Sequence, residues 1–149
     1  MPPSGRLLGV DFGTVRVGLA ITDADRIIAS PLGTYTRQGE AADAAYFANL
    51  VRAERVAGLV LGLPLHTGGE EGVKAAEARR FGAWLAGATS LPVVFWDERF
   101  TTSVADDALR EAGVPHRRRR GRLDRIAAQV ILQAYLEAGC PADGAPPPL

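Results

Sequence analysis

Three acidic residues stand where ordinary solvated carboxylates are seldom found. Asp11 ends an apolar run that begins at Leu7, and Glu98 follows another such run, Pro92 to Trp96. Asp124 opens a helical stretch on the same stripe as Ala128, Ile131 and Tyr135. Sites in open α/β sheets gather beyond the carboxyl ends of the strands, so Asp11 and Glu98 are expected on one rim, with the last helix able to bring Asp124 beside them. Three converging carboxylates repel one another and raise their own pKa values unless a cation neutralises them. Hard divalent Mg²⁺ or Mn²⁺ prefers such oxygen ligands. Two ions about 4 Å apart hold a phosphate between them, acidify an attacking water and stabilise a leaving oxygen, with no need of His or Cys. Each acid also has a plainer role: Asp11 as a turn former, Asp124 as a helix cap or dipole partner, and Glu98 as a partner of Arg99. Asp97 competes with Glu98 for the second position.

Hydrophobic periodicity supplies the elements that must position these groups. Leu7–Val10 and Val15–Ile21 read as a hairpin of two buried strands, and Arg26–Thr36 as a third whose Pro31 marks an edge or a break. Glu40–Arg55 carries Ala44, Phe47, Leu50 and Val51 at helical spacing. Val56–Leu63 is a short apolar run of the kind covered on both faces in a parallel sheet. The stretch Glu71–Ala86 is a second helix, Pro92–Trp96 a strand, Thr102–Ala112 a helix capped by Thr101 or Thr102, and Asp124–Glu137 a final helix closed by Gly139. The order β-β-β-α-β-α-β-α-α predicts an α/β fold: a mixed five-stranded sheet, first three strands antiparallel and the rest parallel, with helices on both faces. That is the RNase H-like arrangement. One domain over 1–138 is expected, with a Pro-rich, disordered tail over 139–149.

Composition narrows the classes further. The chain has 149 residues, is 47% hydrophobic and carries no formal net charge, so attraction to nucleic acid must come from local charge. Sixteen of its seventeen basic residues are Arg, Lys74 being the exception. Arg117, Arg118, Arg119 and Arg120 stand together, followed by Arg122 and Arg125, and this segment reads as a mobile loop tethered to Asp124. Its cations would lie near a phosphate held at the acids. The apolar runs are too short to span a membrane. With no secretion signal in the first residues and a single Cys140, the expected location is the cytoplasm. His66 and His116 read as loop residues, Gly13 and Gly18 as backbone necessities, and Trp84 and Trp96 as core, with base stacking the alternative for either tryptophan.

The segment from Val10 to Ala20, VDFGTVRVGLA, resembles the opening signature of the YqgF family, also called RuvX. Leu61–Leu65 is similar to the family's strand-and-loop motif, Asp97–Thr102 to its acidic motif, and Leu123–Ala128 to the start of its final helix. The resemblance runs from about Leu7 to Leu136. It implies an RNase H-like metal-dependent nuclease related to Holliday-junction resolvases, with 5′-end processing of pre-16S rRNA as the task of bacterial members. It also makes Asp11, Glu98 and Asp124 the catalytic and metal-binding triad, preferring Glu98 over Asp97.

Arg16, Arg99, Arg117, Arg118, Arg119, Arg120 and Arg122 are the candidate substrate contacts. Arg16 reads either as a phosphate clamp beside Asp11 or as a surface partner of Asp23 or Asp25. Expected partners are structured RNA or branched DNA, a pre-ribosomal particle and a second copy in a homodimer, with no membrane. One departure concerns substrate: the loop after Pro64-Leu65 reads His66-Thr67-Gly68-Gly69, where the family usually carries Asn and Asp two residues apart. Resolution of branched DNA, nucleotide binding in the manner of actin-like ATPases (Asp11–Thr14 resembles their first phosphate motif) and non-catalytic nucleic-acid binding are the alternative functions.

Overall fold

A computed structural model describes residues 1–66, 68–98 and 116–142, with side chains in the last helix described from Asp124 onward. The expected helix over Thr102–Ala112, its cap, and Arg99 lie outside the described residues. Five strands form one sheet: β1 (Arg6–Asp11), β2 (Arg16–Thr22), β3 (Ala29–Thr36), β4 (Val56–Leu63) and β5 (Val93–Asp97). Their order is β3-β2-β1-β4-β5. β1 pairs antiparallel with β2, which pairs antiparallel with β3. β4 lies parallel to both β1 and β5. The expected mixed sheet is therefore present, with β3 at an edge as Pro31 implied. A bulge between Leu19 and Ala20 sits where Pro31, which has no N–H to donate, meets the ladder.

Among the described residues three helices cover the sheet: α1 (Glu40–Ala53), α2 (Val73–Thr89) and α3 (His116–Glu137). Alternation along each strand sorts the side chains to two faces. Leu8, Val10, Val17, Leu19, Leu59 and Leu61 pack with Phe47 and Val51 of α1 and Phe81 and Leu85 of α2. Leu7, Ala20, Val60, Val94 and Trp96 pack with Ala128, Ile131, Leu132 and Tyr135 of α3. The α1 end is tied to β3 by the buried Asp43, which accepts hydrogen bonds from the Tyr35 hydroxyl at 2.6 Å, the Gln38 N–H at 2.9 Å and Arg37 at 3.2 Å. Burial works to raise the Asp43 pKa, but these donors outweigh it and hold the carboxyl below its ordinary value.

One expectation changes at the carboxyl end. The segment Arg117–Arg122 is not a loop: α3 starts at His116 and carries those residues within its first two turns. Arg is among the better helix formers, and consecutive cations hide the apolar period that would have revealed the helix. The helix ends at Gly139 as expected, with φ 88° and the N–H groups of Gly139 and Cys140 donating to Leu136 and Tyr135 carbonyls. The described chain continues to residue 142. Cys140 packs against the α3-side core, and the Pro141 carbonyl accepts from the Tyr135 hydroxyl at 2.8 Å. Residues 143–149 lie outside the described residues.

Candidate active site

Asp11 is the last residue of β1 and Glu98 directly follows β5, so both emerge on the rim where the parallel strands end. The sheet's alternation decides which acid faces inward. Asp11 shares a face with Leu7, and Glu98 with Val94 and Trp96, which is the face covered by α3. Asp97 has the opposite parity, so the structure brings Glu98 and not Asp97 to the α3 side. A cleft of about 150 Å³ has Asp11, Glu98, Gly62, Pro64 and Lys74 among its lining residues. Both acids are half-buried.

Two glycines make this convergence possible. A Cβ on Gly62 would collide with the Glu98 carboxylate and with Ile131. A Cβ on Gly18 would run into the backbone carbonyl of Asp124. The missing side chain of Gly18 thus lets α3 lie directly on β2 and sets Asp124 beside the site. Arg16, one pleat earlier on the same face, donates from Nε to Asp124 Oδ2 at 2.9 Å. Arg16 accordingly pairs with neither Asp23 nor Asp25. The Asp23 carboxylate instead accepts from the backbone N–H groups of Ile27 and Ile28, holding the β2–β3 turn.

The electrostatics are those of an acid cluster with too little cation. Burial, then repulsion from Glu98 and Asp124, pushes the Asp11 carboxyl up to about 8. Burial and the neighbouring Asp97 push Glu98 up to about 7, against a downward pull from Lys74. Both carboxyls are thus held above the ordinary carboxylate range, chiefly by burial. Two half-buried carboxyls lining one cleft offer the oxygen ligands that a hard divalent cation prefers. Asp124 is close enough to repel Asp11, but its carboxylate is engaged by Arg16. Among the described residues no three His, Cys, Asp or Glu side chains converge as a single ion-holding group.

Lys74 is the residue that sequence reasoning missed. It stands in the first turn of α2 and faces the acids across the cleft. Its one signal was being the sole lysine in an arginine-rich chain. His66 belongs to a tight turn, where its N–H donates to Glu70 O at 2.9 Å and its ring fills the space a Cβ on Gly72 would need. It is a loop residue, as expected. Trp96 is core, packed edge-on to Tyr135, whereas Trp84 is only partly buried against Phe81.

A mixed sheet with antiparallel first strands, acids at the ends of β1 and β5 and a closing helix over one face defines the RNase H-like class. The solved structures agree on the fold. Thermus thermophilus RuvC in complex with a Holliday junction superposes with a TM-score of 0.59 at 15% identity, covering 91% of this chain and 96% of that one. The Fowlpox virus resolvase, bound to Holliday junction DNA, gives 0.58 at 13% identity, covering 91% and 99%. Within that class the chain belongs to the RuvX family, described as Holliday junction resolvase, whose model matches residues 5–138. A Rhodopirellula baltica protein called "Putative pre-16S rRNA nuclease" is 46% identical over 137 residues, covering 92% of this chain and 79% of its own. A Syntrophus aciditrophicus protein of the same name is 42% identical over 133 residues, 89% of each.

Proposed function

We propose that this protein is a divalent-cation-dependent nuclease that hydrolyses phosphodiester bonds in structured nucleic acid, with 5′-end processing of pre-16S rRNA as its task in the cytoplasm. The observation that carries this reading is the meeting of Asp11 and Glu98 in one half-buried cleft, with Asp124 near enough to repel Asp11. Family membership and the names of the relatives support the same reading.

In this reading Asp11, Glu98 and Asp124 would hold Mg²⁺ or Mn²⁺, two ions at full occupancy, and bound ions would supply the positive charge that positions a phosphate, acidifies water and stabilises a leaving oxygen. Asp11 and Glu98 supply the ionised oxygens, and must give up their protons to do so. Arg16 fixes the orientation of Asp124 and lies within reach of a neighbouring phosphate. Lys74 offsets the charge of Glu98. Arg99, Arg117, Arg118, Arg119, Arg120 and Arg122 grip the nucleic-acid backbone, which positions a strand without reading its sequence. Catalysis resides in one domain over 1–138, working as a homodimer on a pre-ribosomal particle.

Cleavage of matched RNA, DNA and four-way-junction substrates in Mn²⁺, in Mg²⁺ and in chelator tests the proposal. Cation-dependent cutting of the RNA, mapped to a 5′ precursor end, is the expected result. Cutting of the junction alone would assign the protein to branched-DNA resolution, the reading that the family's description favours. Absence of cation-dependent cleavage on all three would overturn the nuclease assignment.

A further inference from the structure

Asp11 and its neighbour Phe12 point to opposite sides of the rim. Asp11 turns toward α3, whereas Phe12 packs on Phe81 of α2, ring centroids 4.6 Å apart. Phe12 lines the acid cleft and also a second, larger one of about 370 Å³. This second cleft is bounded by Phe12, Phe81 and Trp84 and by two arginines and two acids, Arg37, Arg80, Glu40 and Glu77. Phe81 and Trp84 are nearly parallel, with centroids 5.4 Å apart and 25° between planes. Arg37 lies over the same aromatic group, 5.7 Å from the Phe12 centroid and 5.2 Å from that of Phe81. Its position is fixed from behind by the buried Asp43.

The composition of this cleft selects an occupant. Trp84 is only partly buried although Phe81 backs one side of it. A phosphate would meet Glu40 and Glu77 as well as the arginines. An apolar helix would leave those charges without partners. A flat heteroaromatic ring with hydrogen-bond donors and acceptors on its edge suits both the rings and the mixed charges. Bases stack on aromatic faces and guanidinium planes, while Arg and Glu read base acceptors and donors respectively. The entrance begins one residue from Asp11, about 3.8 Å along the backbone.

We propose that the cleft between Phe12, Phe81, Trp84 and Arg80 is a nucleobase subsite, which takes one unpaired base of the strand whose phosphate lies at Asp11 and Glu98. The inference rests on the nucleic-acid reading given above and adds to it a requirement for an unstacked nucleotide next to the cut. A base inside a duplex is already stacked on both faces and cannot enter; an unpaired one can.

The test uses the full chain with Trp96→Phe, so that Trp84 is the only tryptophan, in chelator so that nothing is cut. The probes are a short single-stranded RNA and the same strand with its bases removed as abasic residues. The base-bearing strand is expected to quench Trp84 emission and to bind about 5- to 150-fold more tightly than the abasic one, the range given by stacking of a single base. Arg80→Ala, at an exposed position, should shrink that ratio several-fold, and Trp84→Phe should keep most of it where Trp84→Ala does not. Equal binding of the two strands with unchanged emission overturns the subsite, even if the enzyme cleaves RNA. Discrimination between the strands without cation-dependent cleavage leaves the subsite standing and removes the nuclease reading. Failure of both strands to bind overturns the subsite as well.

Discussion

The two faces of the sheet are built from different materials. Against α1 and α2 the sheet meets large rings and branched chains: Phe47, Phe81 and Leu85 fill that side, with Tyr35, Tyr46 and Trp84 at its margin. Against α3 the contact zone near the site is made of absences, with Gly9 under Leu132, Gly62 beside Glu98 and Gly18 under the Asp124 carbonyl. Burying a large side chain contributes about 1.5–3 kcal/mol each, so the aromatic face supplies much of the stability. The α3 face supplies position. A helix seated directly on backbone has little room to slide, and its Asp124 inherits that accuracy.

The largest effect is expected at the acids on the α3 side. Asp11→Asn and Glu98→Gln should each reduce cleavage to background while leaving the fold in place, because charge is removed at nearly constant volume. Asp97→Asn, on the opposite parity, should retain most activity. Cleavage rates at saturating Mn²⁺, paired with circular dichroism, check this, and the reverse pattern for Asp97 and Glu98 would mean that the rim is read wrongly.

A smaller effect separates the faces themselves. Gly18→Ala forces α3 off β2 and should cost about 1–3 kcal/mol of stability as overpacking does, together with most of the activity even below its melting temperature. Leu85→Ala on the other face should cost about 2–5 kcal/mol and leave turnover nearly unchanged wherever the variant is folded. Denaturant titrations alongside rates measured at low temperature distinguish the two. Comparable activity losses from both would erase the division of labour.

The test with the least bearing on activity is the pH dependence of the cation-free protein. The folded chain keeps protons on Asp11 and Glu98 up to about 8 and 7, whereas the unfolded chain releases them near the ordinary 3.8 and 4.5. The folded state thus binds more protons between those values, and stability falls as pH rises through the interval. Melting temperature in chelator should drop from pH 5 to pH 8, by about 2–4 °C for each kcal/mol lost. Asp11→Asn should flatten the slope, and saturating Mg²⁺ should reverse much of it. Asp43, held low by its donors, contributes the opposite slope only in the acid range. A flat profile in the unsubstituted protein would show that the acids are better hydrated than their burial implies.

Much of this was legible in the sequence because it is local. Apolar runs of strand length ending in Asp11 and before Glu98 fix the strands and their rim, and helical spacing around Phe47 and Ile131 fixes two of the helices. What escaped depends on contacts between distant segments. The partner of Arg16 lies 108 residues away, so nearby Asp23 and Asp25 were the natural candidates. The place of Lys74 depends on where α2 docks against the rim. The helical Arg117–Arg122 segment has no apolar stripe to betray it, and in sequence nothing tells what the strand glycine Gly18 makes room for. The choice of Glu98 over Asp97 rested on resemblance until the sheet's parity supplied a physical reason.

The seat of α3 on Gly18 also sets when the site comes into being. Asp11 lies in the first strand and Asp124 in the last helix, and the Arg16–Asp124 pair closes nearly the whole length of the chain. As the chain leaves the ribosome, its antiparallel strands, first crossover and aromatic face are all synthesised before the helix that completes the acid cluster. A chain interrupted before residue 124 carries Asp11 and Glu98 but neither the third acid nor the arginine's partner. On the reading proposed above, copies interrupted before Asp124 carry no complete acid cluster near the RNA of the machine that is building them.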